Sequence, residues 1–491
     1  MRSGQVNGLA GAAIAAAILA GCTVGPDFNR PDPPAADRYT VAPHTVGQTP
    51  ASDADRQTVK LGSALAEDWW RLFESDALND IVRQALANNR SLASAAATLA
   101  AAREFAGAQA GSLYPKLSIG ADIGRQKYGA EFLGTADKPP PFTYFSVGPT
   151  VSYALDYVGG IARSVEQGYA LAEYEHQQMD AAYLSVTGNA VLLSFRSVSL
   201  QDQIAAVQSI LDQDRENLKL VQVAFDAGSV SRIDILSAET QLASDATLLP
   251  PLRQELSMAQ HALAVVLGQT TAGTVPSVDW AHVVLPKNLP VSLPSELAHR
   301  RPDILAAEAQ LHAATAWVGM TTANLYPQIA LNGSISMQST VLRQLFNGAN
   351  NAGGLTASLT APLFDAGALR AKRRAAIAAV HAAAANYEQT VLTAFAQVAD
   401  SLDALDHDAE QLTAQARAQA AARESLDLTR KSYNEGSVGV LQVLDAERLY
   451  QQARLGYVRA NSQRYLDTAQ LFLALGGSSP NPTAASASAG K

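Results

Sequence analysis

The sequence predicts a mainly α-helical protein written twice along one chain, each copy carrying a β-hairpin whose strands have the length of membrane strands. Three observations predict it. Local motifs recur at a spacing of about 200 residues. Two very long stretches carry helical composition without a break, and between helical stretches the apolar residues switch to strict alternation.

Composition narrows the function classes. The 491 residues are 48% hydrophobic but only 6% aromatic and 16% charged, and alanine carries much of the apolar share. Globular domains hold about 25% charged residues, so this surface is bland. Lys and Arg number 36 against 45 Asp and Glu, a net charge of -9, and no basic stripe is present for a nucleic-acid partner. A single cysteine rules out an intramolecular disulfide and a cysteine-rich zinc site, and the eight histidines show no HExxH-like pair. Nucleophile elbow and Gly-rich phosphate loop are missing as well. The expectation is no enzyme, no metal site and no nucleic-acid partner.

Residues 1–21 read as a signal peptide: Arg2 is the positive start, and Leu9 to Ala20 form a small-residue apolar core too short for a good membrane span. Leu19-Ala20-Gly21-Cys22 then has the form of a bacterial lipobox. Diacylglycerol on Cys22, followed by cleavage and a fatty acyl chain such as palmitate, would leave a firm anchor, at roughly 0.8 kcal/mol per buried methylene. An ordinary secretory signal with a stray thiol is the other reading. Thr23 stands where an aspartate would favour retention at the inner membrane, which directs the expectation to the outer membrane. Residues 22–66, rich in proline, are expected to be mostly irregular.

The first repeat is expected over 67–270 and the second over 295–477, with a linker at 271–294 and a disordered tail at 478–491. Leu113-Tyr114-Pro115 recurs as Leu325-Tyr326-Pro327, Phe225-Asp226-Ala227-Gly228-Ser229-Val230 as Tyr433-Asn434-Glu435-Gly436-Ser437-Val438, and Leu267-Gly268 as Leu475-Gly476. Each copy opens with a helix; over 75–113 it shows Leu78, Ile81, Val82, Ala85 and Leu86 at helical spacing until Pro115 blocks continuation. A hairpin follows at about 117–155 and again at about 329–363. Leu117, Ile119, Ala121 and Ile123 alternate with Ser118, Gly120, Asp122 and Gly124, and Ile329, Leu331, Ile335 and Met337 alternate with small polar residues. Segments of about 9 to 11 residues fit tilted transmembrane strands with a water-lined face. Periodicity alone leaves a half-buried hairpin of a soluble sheet open, and Pro149 is irregular because it lacks a ladder donor.

Long helices follow, over about 160–227 and 366–434, each roughly 100 Å at 1.5 Å per residue. Gly228 and Gly436 sit where a left-handed cap ends each helix, and Ser229 and Ser437 are placed to cap returning helices over 230–268 and 438–475.

Four local patterns then resemble the outer membrane factor family, the TolC-like tunnels, and within it the NodT-type lipoprotein branch of RND efflux systems. They are Cys22-Thr23-Val24-Gly25-Pro26-Asp27-Phe28; Asp68-Trp69-Trp70-Arg71-Leu72-Phe73 with Ala85-Leu86-Ala87-Asn88-Asn89; His299-Arg300-Arg301-Pro302-Asp303-Ile304; and Pro362-Leu363-Phe364-Asp365-Ala366-Gly367. The resemblance spans about residue 20 to 477. It implies the protomer of a homotrimer: a trimeric α-helical periplasmic tunnel topped by a membrane β-barrel of roughly 12 strands, four per chain. It implies an outer membrane channel of a tripartite efflux system, a passive exit for small molecules from an inner-membrane resistance-nodulation-division (RND) pump through a periplasmic adaptor. Apart from the lipid on Cys22 it implies no cofactor.

The resemblance also implies carboxylate rings at the periplasmic entrance, carried over here to Asp234 and Asp445. Asp234 aligns with Gln442 and Asp445 with Ser237, so each repeat keeps one carboxylate and a trimer would bring six. A ring of like charge attracts cations, whereas an aspartate near a helix N-terminus also favours the helix dipole by itself. The turns at Gly228-Ser229 and Gly436-Ser437 are the expected adaptor contacts. Two other readings remain at this point: an exit duct for secreted protein, or a structural periplasmic coiled-coil lipoprotein.

Overall fold

The computed structural model describes residues 23–32, 36, 38–40, 57–128 and 140–477. The signal peptide with Cys22, most of the Pro-rich lead, part of the first hairpin loop and the tail lie outside the described residues. In chain order the elements are β1 (Thr58–Leu61), α1 (Asp76–Asn88), α2 (Arg90–Ala110), β2 (Lys116–Gln126), β3 (Phe142–Leu155), α3 (Gly160–Asp226), α4 (Arg232–Ala246) and α5 (Leu249–Val266). Then come β4 (Asn288–Val291), α6 (Pro294–Leu297), α7 (Pro302–Ala323), β5 (Gln328–Ser339), β6 (Asn351–Thr360), α8 (Ala368–Asn434) and α9 (Val440–Ala474).

Two compact units divide the chain, and each takes segments from both tandem copies. The first comprises the chain up to Pro31, Thr98–Glu175 and Ala306–Tyr387. Its centre is an antiparallel sheet in the order β2-β3-β5-β6. Register assigns its two faces. Leu117, Ile119 and Ile123 on β2 stand in line with Val151, Val147 and Phe145 on β3, with Leu331, Ile335 and Met337 on β5, and with Leu355 and Leu359 on β6. The opposite face is small and polar, and on it Ser118 Oγ and Thr150 Oγ1 lie 2.8 Å apart. Pro149 has the expected effect. The β3–β5 ladder is interrupted between the pairs Val147–Met337 and Thr150–Ser334. Gly148 is required there, because a Cβ would collide with the backbone of Ile335 and Ser336.

The lead enters this unit as a strap. Val24 N–H donates to Val158 O at 3.0 Å. The buried Arg163 donates to Asp27 at 2.5 Å and to Glu166 at 2.7 Å, and Phe28 stacks on His312 at 4.4 Å. Burial opposes the Arg163 charge, but the two carboxylates outweigh it and hold the guanidinium more firmly protonated than usual. Residue 23, next to the cysteine, is thereby held beside the start of α3, its side chain packed against Gly159.

The second unit comprises Asp32–Ala97, His176–Leu305 and Glu388–Lys491. An aromatic cluster fills it: Phe73 meets Phe195 at 4.9 Å and Phe472 at 6.0 Å, and Trp69 meets Phe472 at 5.8 Å, all four rings buried. The Trp69-Trp70 pair thus anchors the entry of α1. Arg301 also serves structure, donating to Asp303, to Gln397 Oε1 and to the last-turn carbonyl of Ala474 at 2.8 Å.

Three local features differ from the sequence reading. The helix expected over 75–113 breaks at Asn89, whose Oδ1 accepts from Leu92 N–H and whose Nδ2 donates to Val266 O. The first returning helix breaks between Ala246 and Leu249, and Pro250 sits in the first turn of α5, where a missing N–H is tolerated. Finally, β1 in the lead and β4 in the linker pair as a parallel two-stranded sheet.

Candidate functional site

The two turns that follow the long helices are built alike. Gly228 and Gly436 both adopt φ +74, a left-handed conformation natural only to glycine, with open space where a Cβ would stand. Gly228 N–H donates to Phe225 O and Ser229 N–H to Ala224 O; Gly436 N–H donates to Tyr433 O and Ser437 N–H to Ser432 O. This is the Schellman closure of a helix end, made twice. The two serines do not cap the returning helices. Their hydroxyls donate backward, Ser229 to Ala224 O at 2.8 Å and Ser437 to Ser432 O at 2.9 Å. The N-cap positions fall two residues later, at Ser231 and Gly439.

Asp234 is the third residue of α4 and partly exposed. Its carboxylate accepts from Ser231 N–H at 2.7 Å and from the Ser231 hydroxyl at 2.8 Å. These bonds hold its pKa below the ordinary aspartate value, the backbone bond contributing most. Asp445 lies on α9 and forms an ion pair with Arg448 at 2.7 Å. It lines a cavity of about 160 Å³ together with Asp214, Asn217, Ser237, Gln241 and Leu441. The aligned positions Ser237 and Asp445 therefore share one cavity, whereas Asp234 is not among its lining residues.

Sequence reasoning missed the groups that surround this cavity. Arg430 on α8 reaches the buried Glu447 on α9 at 2.6 Å, and Asp214 comes from deep within α3. No single apolar stripe on these helices marks which positions face inward, so the sequence carried no signal for them. The chemistry is that of charged and hydrogen-bonding walls, suited to filtering and holding rather than bond making. The lipidation site Cys22 lies outside the described residues.

Comparison with known proteins gives a consistent answer. The model of a family described as outer membrane efflux protein matches residues 81–269 and 293–477. The probable outer membrane lipoprotein SilC of Salmonella typhimurium is 28% identical over 466 residues, covering 94% of this chain and 96% of that protein. Nodulation protein T of Rhizobium leguminosarum bv. viciae is also 28% identical, covering 97% and 94% respectively. The solved outer-membrane channel OprN superposes with a TM-score of 0.81 at 30% identity, over 93% of this chain and 99% of that one.

Proposed function

The chain belongs to the outer membrane efflux protein family, and from that premise we propose that three copies close a single exit duct fed from the inner membrane. The protein is an outer membrane efflux channel. One observation carries the trimer: the four-stranded sheet is apolar on one face and polar on the other, and among the described residues its edge strands β2 and β6 are each paired on one side only. Four strands are too few for a barrel, and open edges do not persist in lipid. Three such sheets, edge to edge, give a barrel of roughly 12 strands with the apolar face toward lipid and the polar face toward water.

In this reading Cys22 bears the diacylglycerol and fatty acyl chains, and the strap after it fixes the anchor beside the start of α3. The turns at Gly228-Ser229 and Gly436-Ser437 meet a periplasmic adaptor, through which an RND pump delivers small molecules. Asp234 and Asp445 supply negative charge at the periplasmic entrance. Arg448 neutralises much of the Asp445 charge locally, so Asp234 provides the larger part.

Electron microscopy of the detergent-extracted protein tests the assembly. Two-dimensional averages should show threefold hollow tubes with a micelle collar at one end. Solid single-chain rods without a collar would overturn the trimeric duct.

A further inference from the structure

The two junctions where a strand hands over to a long helix are aligned copies with opposite chemistry. Gly159-Gly160-Ile161-Ala162-Arg163 at the start of α3 matches Ala366-Gly367-Ala368-Leu369-Arg370 at the start of α8. In the first copy Arg163 is held by Asp27 of the strap and by Glu166, one turn along its own helix. In the second copy Arg373 stands where Glu166 does, and Arg374 follows it. From Ala366 to Tyr387 no acidic residue occurs. Asp365 lies close enough for Arg370 to feel its charge, but its oxygens already accept from the N–H groups of Gly367 and Leu369. Among the described residues no ion pair reaches Arg370, Arg373 or Arg374, and all three are exposed.

Two forces oppose that arrangement in water. Arginines three and four residues apart share one face of the helix and repel. They also stand at the end where the helix dipole disfavours positive charge. An anion bound between them removes both penalties, as the strap carboxylate does for Arg163 in the first copy.

The position of this face indicates the source of the anion. An aromatic side chain marks the helix-side end of every strand in the sheet: Tyr114 before β2, Tyr157 after β3, Tyr326 before β5 and Phe364 after β6. Such a belt lies at the boundary between acyl chains and headgroups. Leu363 and Phe364, at 97% and 91%, are the most exposed large apolar side chains among the described residues, and acyl chains would cover them. From Ala368 to Arg374 the helix rises about 9 Å. Side chains on a helix tilt toward its N-terminus, here toward the sheet, and a headgroup layer is about 5 to 8 Å deep. Guanidinium groups reaching back along α8 therefore meet phosphates.

The strap identifies the same side as the lipid side. It covers Glu308, His312 and Gly319 along one stripe of α7. Thr322 extends that stripe by three residues, and Arg373 Nε donates to Thr322 Oγ1 at 3.1 Å. The strap ends at Thr23 against Gly159, one covalent step from Cys22 in sequence.

We propose that Arg370, Arg373 and Arg374 clasp the phosphate of an anionic phospholipid in the leaflet facing the helices, while Leu363 and Phe364 enter its acyl layer. The inference rests on the reading of the sheet as the membrane part. It gives the second junction a non-covalent lipid anchor to match the covalent one beside the first. Lys372 is turned away from the arginine face and takes no part.

Native mass spectrometry of the full-length, detergent-solubilised protein tests this, with phosphatidylglycerol and phosphatidylcholine offered in equal amounts. Phosphatidylglycerol should be retained in preference by at least about tenfold. Arg370→Gln, Arg373→Gln and Arg374→Gln should each weaken its retention about fivefold, and Lys372→Gln by less than about twofold. Equal retention of the two lipids by the native protein overturns the site even where a variant fails to fold. Arginine variants that keep the native preference, or a Lys372→Gln effect as large as theirs, overturn it too. Excess inorganic phosphate should leave the lipid bound; displacement by it would make this a soluble-anion site and overturn the lipid clasp. If neither lipid is retained, the membrane reading of the sheet falls with the site. Equal retention removes the site alone and leaves that reading standing.

Discussion

Arg448 governs how much of the Asp445 charge is felt beyond its own cavity. The pair is partly solvated, so screening keeps the effect moderate. Replacing Arg448 by Ala is expected to strengthen block of the channel by a cation about twofold to fivefold in planar bilayers. Asp234→Ala should weaken the block and raise resting conductance more than Asp445→Ala does; equal effects would contradict the unequal roles given to the two aspartates. The Asp234 carboxyl sits below the ordinary aspartate value of 3.8, so its charge is complete above that value and is lost only as pH falls through the lowered one. Cation block should accordingly persist at pH 4 and fade in stronger acid. At Gly436 the constraint is backbone rather than space, so Gly436→Ala is expected to lower stability by about 1 kcal/mol in chemical unfolding without disturbing assembly. Gly436→Trp should fold comparably but lose adaptor binding in pull-down, and retention of binding would remove the turn from the docking surface.

Register turns the sheet into a test at neighbouring positions. Ile335 lies on the apolar face and Ser334 on the polar one. Ile335→Arg is expected to cost roughly 2 to 4 kcal/mol if the residue lies near the bilayer midplane, whereas Ser334→Arg should be tolerated. Heat-modifiable migration of membrane fractions reads the difference, and equal behaviour would sink the assignment of faces. At this scale the sequence was legible wherever period or punctuation was strong. Alternation at Leu117 to Ile123 points to β2, and Gly228 and Gly436 point to the ends of α3 and α8. The break at Asn89 was hidden because an asparagine amide that caps one helix and clasps another looks like any polar residue in a helical run. β1 and β4 were hidden because four residues carry too little periodicity and their pairing is non-local. The half-buried Asp214 and the buried Glu447 were illegible for another reason: these helices pack on several sides, so no single stripe tells which positions face inward.

The whole molecule is ordered differently from its sequence. Repeats lie in tandem, yet strand β3 of the first pairs with β5 of the second, and β1 ahead of the first pairs with β4 ahead of the second. Each compact unit is likewise assembled from both halves. A half-length chain would therefore leave both units unfinished and could complete them only by recruiting another copy of itself. Before duplication, such a chain would have depended on its cellular abundance to fold, because each missing partner had to arrive by diffusion. Fusing two copies replaces that dependence with a fixed local concentration in the millimolar range for short tethers. Once joined, the halves were free to diverge, as Asp234 opposite Gln442 and Ser237 opposite Asp445 record.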